Sequence, residues 1–141
     1  SLRSLAFTAP LFTLAQIALG AAYRYHQMGV IPHVVWALVA AIVLLMFGAF
    51  ILTQKDAAVP LKRLAATLLV LVCLQVILGV AALLARVADL EKAAWMPIAT
   101  TSHLVTGALV LACTLLISAF VLRCAQTAPS TSELASNGSH S

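Results

Sequence analysis

The side chains able to do chemistry in this chain are few, and they fall in matching places. Gln16 opens the pattern Gln-x-x-Leu-Gly that ends at Gly20, and Gln75 opens the same pattern ending at Gly79. A histidine follows each, His33 after the first and His103 after the second. Neutral imidazole carries one donor and one acceptor nitrogen and is a common metal ligand. A carboxamide carries two donors and a two-lone-pair acceptor, so each Gln requires a partner wherever water is excluded. The partners open to Gln16 and Gln75 are each other, a histidine or a bound ligand. Arg24 closes the first motif, four residues past Gly20, and His26 lies just beyond it.

These groups are set in an apolar chain. Of 141 residues, 63% are hydrophobic and 9% charged, against ~45–50% and ~25% in soluble domains. That composition excludes a water-soluble fold and specifies an integral membrane protein in contact with lipid. The net charge of +4 is spread along the sequence, with no basic cluster that would engage nucleic acid. Cys73, Cys113 and Cys124 show no CxxC spacing, and the first two sit in apolar runs as small hydrophobes.

Four apolar runs, 5–23, 33–53, 64–85 and 97–122, contain no Asp, Glu, Lys or Arg. Each matches the ~20 residues that cross a ~30 Å hydrocarbon layer, where backbone groups must be satisfied within the segment. The expected fold is all-α: a four-transmembrane-helix up-down-up-down bundle made of two repeated helical hairpins. The first run has a basic start and small residues near its end, as a leader would. It shares its Gln-x-x-Leu-Gly core with the internal third run, so it is read as a retained helix. The transmembrane domain spans 1–125, and the small, polar stretch 126–141, which includes His140, is expected to be disordered. Trp36 and Trp95 read as interfacial aromatics.

Short connections make successive helices antiparallel neighbours. Arg3, Lys55, Lys62, Arg63 and Arg123 gather on one side; Arg24, Arg86 and Lys92 gather on the other. This bias places both termini in the cytoplasm. Helices 2 and 4 then run in the same direction. Gln54 follows His33 by 21 residues and Arg123 follows His103 by 20, so the imidazoles differ in height by only ~1–2 Å at 1.5 Å per residue. Two histidines at one level on opposite helices of a bundle are arranged to clamp a heme iron from both faces. In that reading His33 and His103 are the axial ligands, and Arg24 pairs with a propionate at the membrane edge. Gly20 and Gly79 either clear space for the macrocycle or serve helix packing. His26 is a further candidate, as a second ligand or proton carrier, although a loop histidine is usually solvated.

Gln16-x-x-Leu19-Gly20-x-x-x-Arg24, with His33 and His103 near the starts of helices 2 and 4, resembles the heme A synthase family over residues 5–122. Those membrane proteins convert heme O to heme A for cytochrome oxidase. The resemblance implies heme, either b-type or heme O/A as substrate and product, bound by His33 and His103. It implies work in heme A biosynthesis, cytochrome oxidase assembly or membrane electron transfer, in a bacterial cytoplasmic or mitochondrial inner membrane. Family members usually have eight helices in two halves, and this chain corresponds to one half. Residues 27–32 hold no carboxylate where the family carries an acidic residue near helix 2, and the outer-loop cysteine pair is missing. Heme-modifying oxidoreductase chemistry would therefore call for a homodimer or a respiratory-complex partner. The alternatives are a cofactor-free structural or assembly subunit and a cytochrome b561-like carrier. The latter needs histidines at both membrane faces, and the runs hold none near the inner one. The orientation is directly testable. Reporters fused after residues 57 and 126 are expected to report the cytoplasm, and reporters after residues 28 and 91 the opposite side.

Overall fold

A computed structural model describes residues 2–88 and 94–126, the last three by backbone alone. The expected stretch from 126 onward lies outside the described residues except for its first position. The described chain is helical, with α1 Leu2–Arg24, α2 Val30–Thr53, α3 Val59–Val87 and α4 Met96–Gln126. All four are long and apolar enough to cross a membrane. The helices extend past the expected runs because polar and charged residues continue each helix beyond its apolar stretch. The clearest case is α3, where Pro60 sits in the first turn. Proline is tolerated there, since the N–H it lacks has no intrahelical partner anyway. Lys62 and Arg63 then precede the apolar run.

Each helix packs against its two neighbours in sequence order, and α1 closes the ring against α4. The backbones of the diagonal pairs, α1–α3 and α2–α4, stay apart. His33 and His103 therefore come from opposite corners of the bundle, as the sequence implied.

The two halves of the bundle are built differently. In the proximal half, which holds the α2–α3 turn, Phe47, Ile51, Leu68, Thr114 and Ile117 are fully buried. Small residues let the helices approach there. A Cβ added at Gly48 would lie 2.8 Å from Leu69 Cδ2 on α3, which is the close contact that drives helix association in lipid. Thr13 and Thr114 are buried without cost because their hydroxyls donate back to their own helices, to the Ala9 carbonyl (2.9 Å) and the Val110 carbonyl (3.0 Å). The distal half, at the other end, carries both histidines and much less of the buried core.

The turn out of α1 accounts for His26. Gln27 N–H donates to the Ala22 carbonyl and His26 N–H to the Tyr23 carbonyl. That is a Schellman C-cap with His26 at the left-handed position, φ 57°. Trp36, expected as an interfacial aromatic, is half-buried in the second turn of α2. Its indole N–H donates to the Phe12 carbonyl (3.2 Å) and its ring stacks on Phe12 at 5.0 Å, because a buried indole N–H seeks an acceptor. Trp95, in the turn just before α4, is exposed.

In lipid the water-transfer term of a core contact largely vanishes while the packing term survives. Phe47→Ala is accordingly expected to cost about 2 kcal/mol or more. Met46→Ala, at a side chain 60% exposed, is expected to cost less than about 0.5 kcal/mol. Unfolding in mixed detergent micelles measures both.

Candidate functional site

The distal half holds a cavity of about 260 Å³, close to the lower end of the ~300–1,000 Å³ typical of ligand pockets. Gln16, His33, Gln75, Gly79 and His103 all line it. Its remaining walls are mostly apolar, with Val34, Ala37 and Leu38 from α2 and Val76, Val80 and Leu83 from α3. Leu38 is 66% exposed and Val80 50% exposed, so the cavity lies toward the seam between α2 and α3.

Each imidazole is held by the helix that precedes its own. On α1, Gln16, Gly20 and Tyr23 recur at i, i+4 and i+7, and this stripe cradles His33. The Gln16 amide nitrogen stands 3.2 Å from His33 Nδ1 and 3.4 Å from Nε2. A Cβ added at Gly20 would lie 3.1 Å from His33 Cε1. The Tyr23 ring lies parallel to the imidazole, 6.1 Å between centroids. On α3 the Gln75 amide nitrogen stands 3.2 Å from His103 Nε2. A Cβ at Gly79 would lie 3.2 Å from His103 Cε1. Of the partners open to the two Gln residues, each takes a histidine. The glycine positions are filled by the imidazoles themselves, so what Gly20 and Gly79 clear is room for the histidine rings.

The two halves of the site are not equivalent. The α3 stripe has Ala82 where α1 has Tyr23. A Cβ at Gly107 would lie 3.1 Å from Gln75 Nε2, so α4 admits the Gln75 amide closely, whereas the corresponding α2 residue is Ala37. Gln16 Oε1, Gln75 Oε1 and His103 Nδ1 are buried without a hydrogen-bond partner among the described residues. Buried polar atoms are ordinarily satisfied, so these three mark where a ligand would find hydrogen bonds.

Not every expected residue joins the cavity. Arg24 is exposed in the last turn of α1 and His26 is exposed in the turn after it, and neither lines the cavity. Tyr23 and Arg86 were missed as site residues. Arg86 on α3 donates from Nη1 to the Tyr23 hydroxyl, and its guanidinium carbon lies 5.0 Å from the Tyr23 ring centroid. The i, i+4, i+7 spacing from Gln16 was the available signal for Tyr23. Nothing in the sequence signalled that Arg86 would cross the diagonal.

Among the described residues no group of three or more His, Cys, Asp or Glu side chains is placed to hold an ion. Two imidazoles alone suit a metal that brings its own equatorial ligands. What the site offers a ligand is two imidazoles from diagonal helices, apolar walls and three polar atoms without a partner among the described residues. No protein-family model, curated protein or solved structure matches the chain.

The tight glycine contacts generate a prediction. Gly20→Leu and Gly79→Leu must each push an imidazole off its helix. Each is expected to destabilise the bundle by about 1–3 kcal/mol, read by thermal unfolding in detergent. Gly29→Leu, where an added Cβ meets nothing within 4 Å, is expected to be nearly neutral.

Proposed function

We propose that this chain is a heme-binding membrane protein in which His33 and His103 are the two axial ligands. The observation that supports the reading most strongly is that imidazoles from diagonal helices line one apolar cavity, each fixed by a glutamine across a glycine. A heme held by His33 and His103 would supply one-electron redox chemistry. The residues divide the remaining work. Gln16 and Gln75 set the tilt of each ring through contacts to its nitrogens. Because a carboxamide both donates and accepts, the same side chains can turn an oxygen toward an imidazole N–H and raise its basicity as a ligand. Leu38, Val76 and Val80 exclude water from the macrocycle faces.

Following the resemblance to the heme A synthase family, the proposed setting is heme A biosynthesis, cytochrome oxidase assembly or membrane electron transfer. Heme modification itself is assigned to a homodimer or a complex with a partner, since the chain resembles one half of the family's usual eight-helix architecture. The proposed location is a bacterial cytoplasmic or mitochondrial inner membrane with both termini in the cytoplasm.

A second reading has its own support. The Gln–His contacts and the Gly20 and Gly79 cradles complete much of each imidazole's surroundings without a metal, as a cofactor-free structural or assembly subunit would require. One experiment separates the two. The detergent-purified protein, supplied with hemin, is examined oxidised and reduced, with a pyridine hemochrome assay. The heme reading predicts a Soret band, one heme per chain and a low-spin spectrum that His33→Ala and His103→Ala each abolish. Absence of any Soret band, with both variants still binding the native partner complex, would favour the cofactor-free subunit.

A further inference from the structure

Arg86 occupies a position that the packing of the bundle does not by itself require. It belongs to α3, one turn past Leu83, which lines the cavity. Among its contacts is Tyr23 on α1, the helix diagonally opposite, whose backbone does not pack against α3. Tyr23 in turn lies parallel to His33, a cavity residue. The guanidinium and the phenol hydroxyl therefore meet near the distal rim, bridging two corners of the bundle through the ring that lies parallel to His33. The corresponding position on the α1 side, Gln27, and the corresponding ring position on α3, Ala82, offer neither group. The bridge occurs once in a site that is otherwise repeated.

From this juxtaposition we infer that Arg86 and Tyr23 form a carboxylate clamp that selects a ligand with an apolar ring and an acidic edge. The inference rests on the proposal that the cavity takes a flat macrocycle, and it adds which edge of the ligand is recognised and by what. A guanidinium presents five N–H donors in a planar fork that matches a carboxylate, and a phenol adds one O–H donor beside it. The chemistry suits the location. The rings of the ligand would lie among Val34, Leu38, Val76 and Val80, while its anionic group would stay at the bundle end, where water reaches. Arg24 is also exposed at this end but is not bridged to the cavity by any contact that the structure shows. Arg86, rather than Arg24, is therefore assigned the recognition role.

The test uses metal-free protoporphyrin IX and its dimethyl ester, whose fluorescence reports binding without any axial ligation. The full chain in nanodiscs is titrated with each, with empty nanodiscs as the reference for partition into lipid. A charge-assisted contact at a partly screened site corresponds to about tenfold in affinity. The diacid is expected to bind about tenfold more tightly than the diester. Arg86→Gln is expected to bring the two within about twofold to threefold, and Arg86→Lys to give an intermediate ratio. Tyr23→Phe, which keeps the ring over His33 and removes only the hydroxyl, is expected to reduce the preference in part. Equal affinity for diacid and diester in the unaltered protein would overturn the clamp while leaving the macrocycle proposal standing. So would loss of the preference in Arg24→Gln with its retention in Arg86→Gln. Failure to bind either porphyrin above the empty-nanodisc reference would overturn both.

Discussion

A polar side chain inside an apolar bundle must find its partner within the protein, and this constraint organises the distal half of the molecule. Where water is excluded, an unpaired imidazole or carboxamide costs several kcal/mol. The chain meets the demand twice with the same device. A glutamine on one helix reaches a histidine on the next, and a glycine one turn from the glutamine lets the ring come close enough to be reached. Without the glycines the backbones would have to separate. Without the glutamines the rings would be free to turn away. The repeat is therefore a repeat of one pairing, which still leaves Gln16 Oε1, Gln75 Oε1 and His103 Nδ1 without a partner among the described residues.

The proximal half is held by shape instead. Phe47, Ile51, Leu68 and Ile117 interlock there beside the buried Thr114 and Ser118, and Gly48 and Ala65 bring α2 and α3 together. A closely packed end and a hollow end suit a binding protein. The packed half fixes where four helix axes go, and the hollow half inherits that placement without filling its own centre. The cavity leans toward the α2–α3 seam because α2 and α3 contribute more of its lining than α1 and α4 do.

Much of this could be read in the sequence. Uninterrupted apolar runs without a formal charge fix four spanning helices, and short connections fix their alternation, because a bilayer leaves the backbone few alternatives. That His33 and His103 would reach one cavity followed from helix rise and alternation. What escaped depends on rotation and on side-chain reach, which hydrophobicity does not encode when helices are apolar on every face. Trp36 looked like a boundary residue and also ties α1 to α2 through the Phe12 carbonyl. Gly20 and Gly79 were open between macrocycle clearance and packing, and they pack against imidazoles. Arg86 crosses a diagonal to Tyr23, a contact between residues 63 positions apart that no local pattern could announce.

The central claim is that the imidazoles of His33 and His103 can share one iron. Electron paramagnetic resonance of the ferric, hemin-loaded protein tests this most directly, paired with near-infrared magnetic circular dichroism to identify the axial ligands. The account predicts a single low-spin species with two imidazole ligands, converting to high-spin iron when either histidine is replaced by alanine. A high-spin signal in the unaltered protein, or a low-spin signal that survives removal of either histidine, would contradict it.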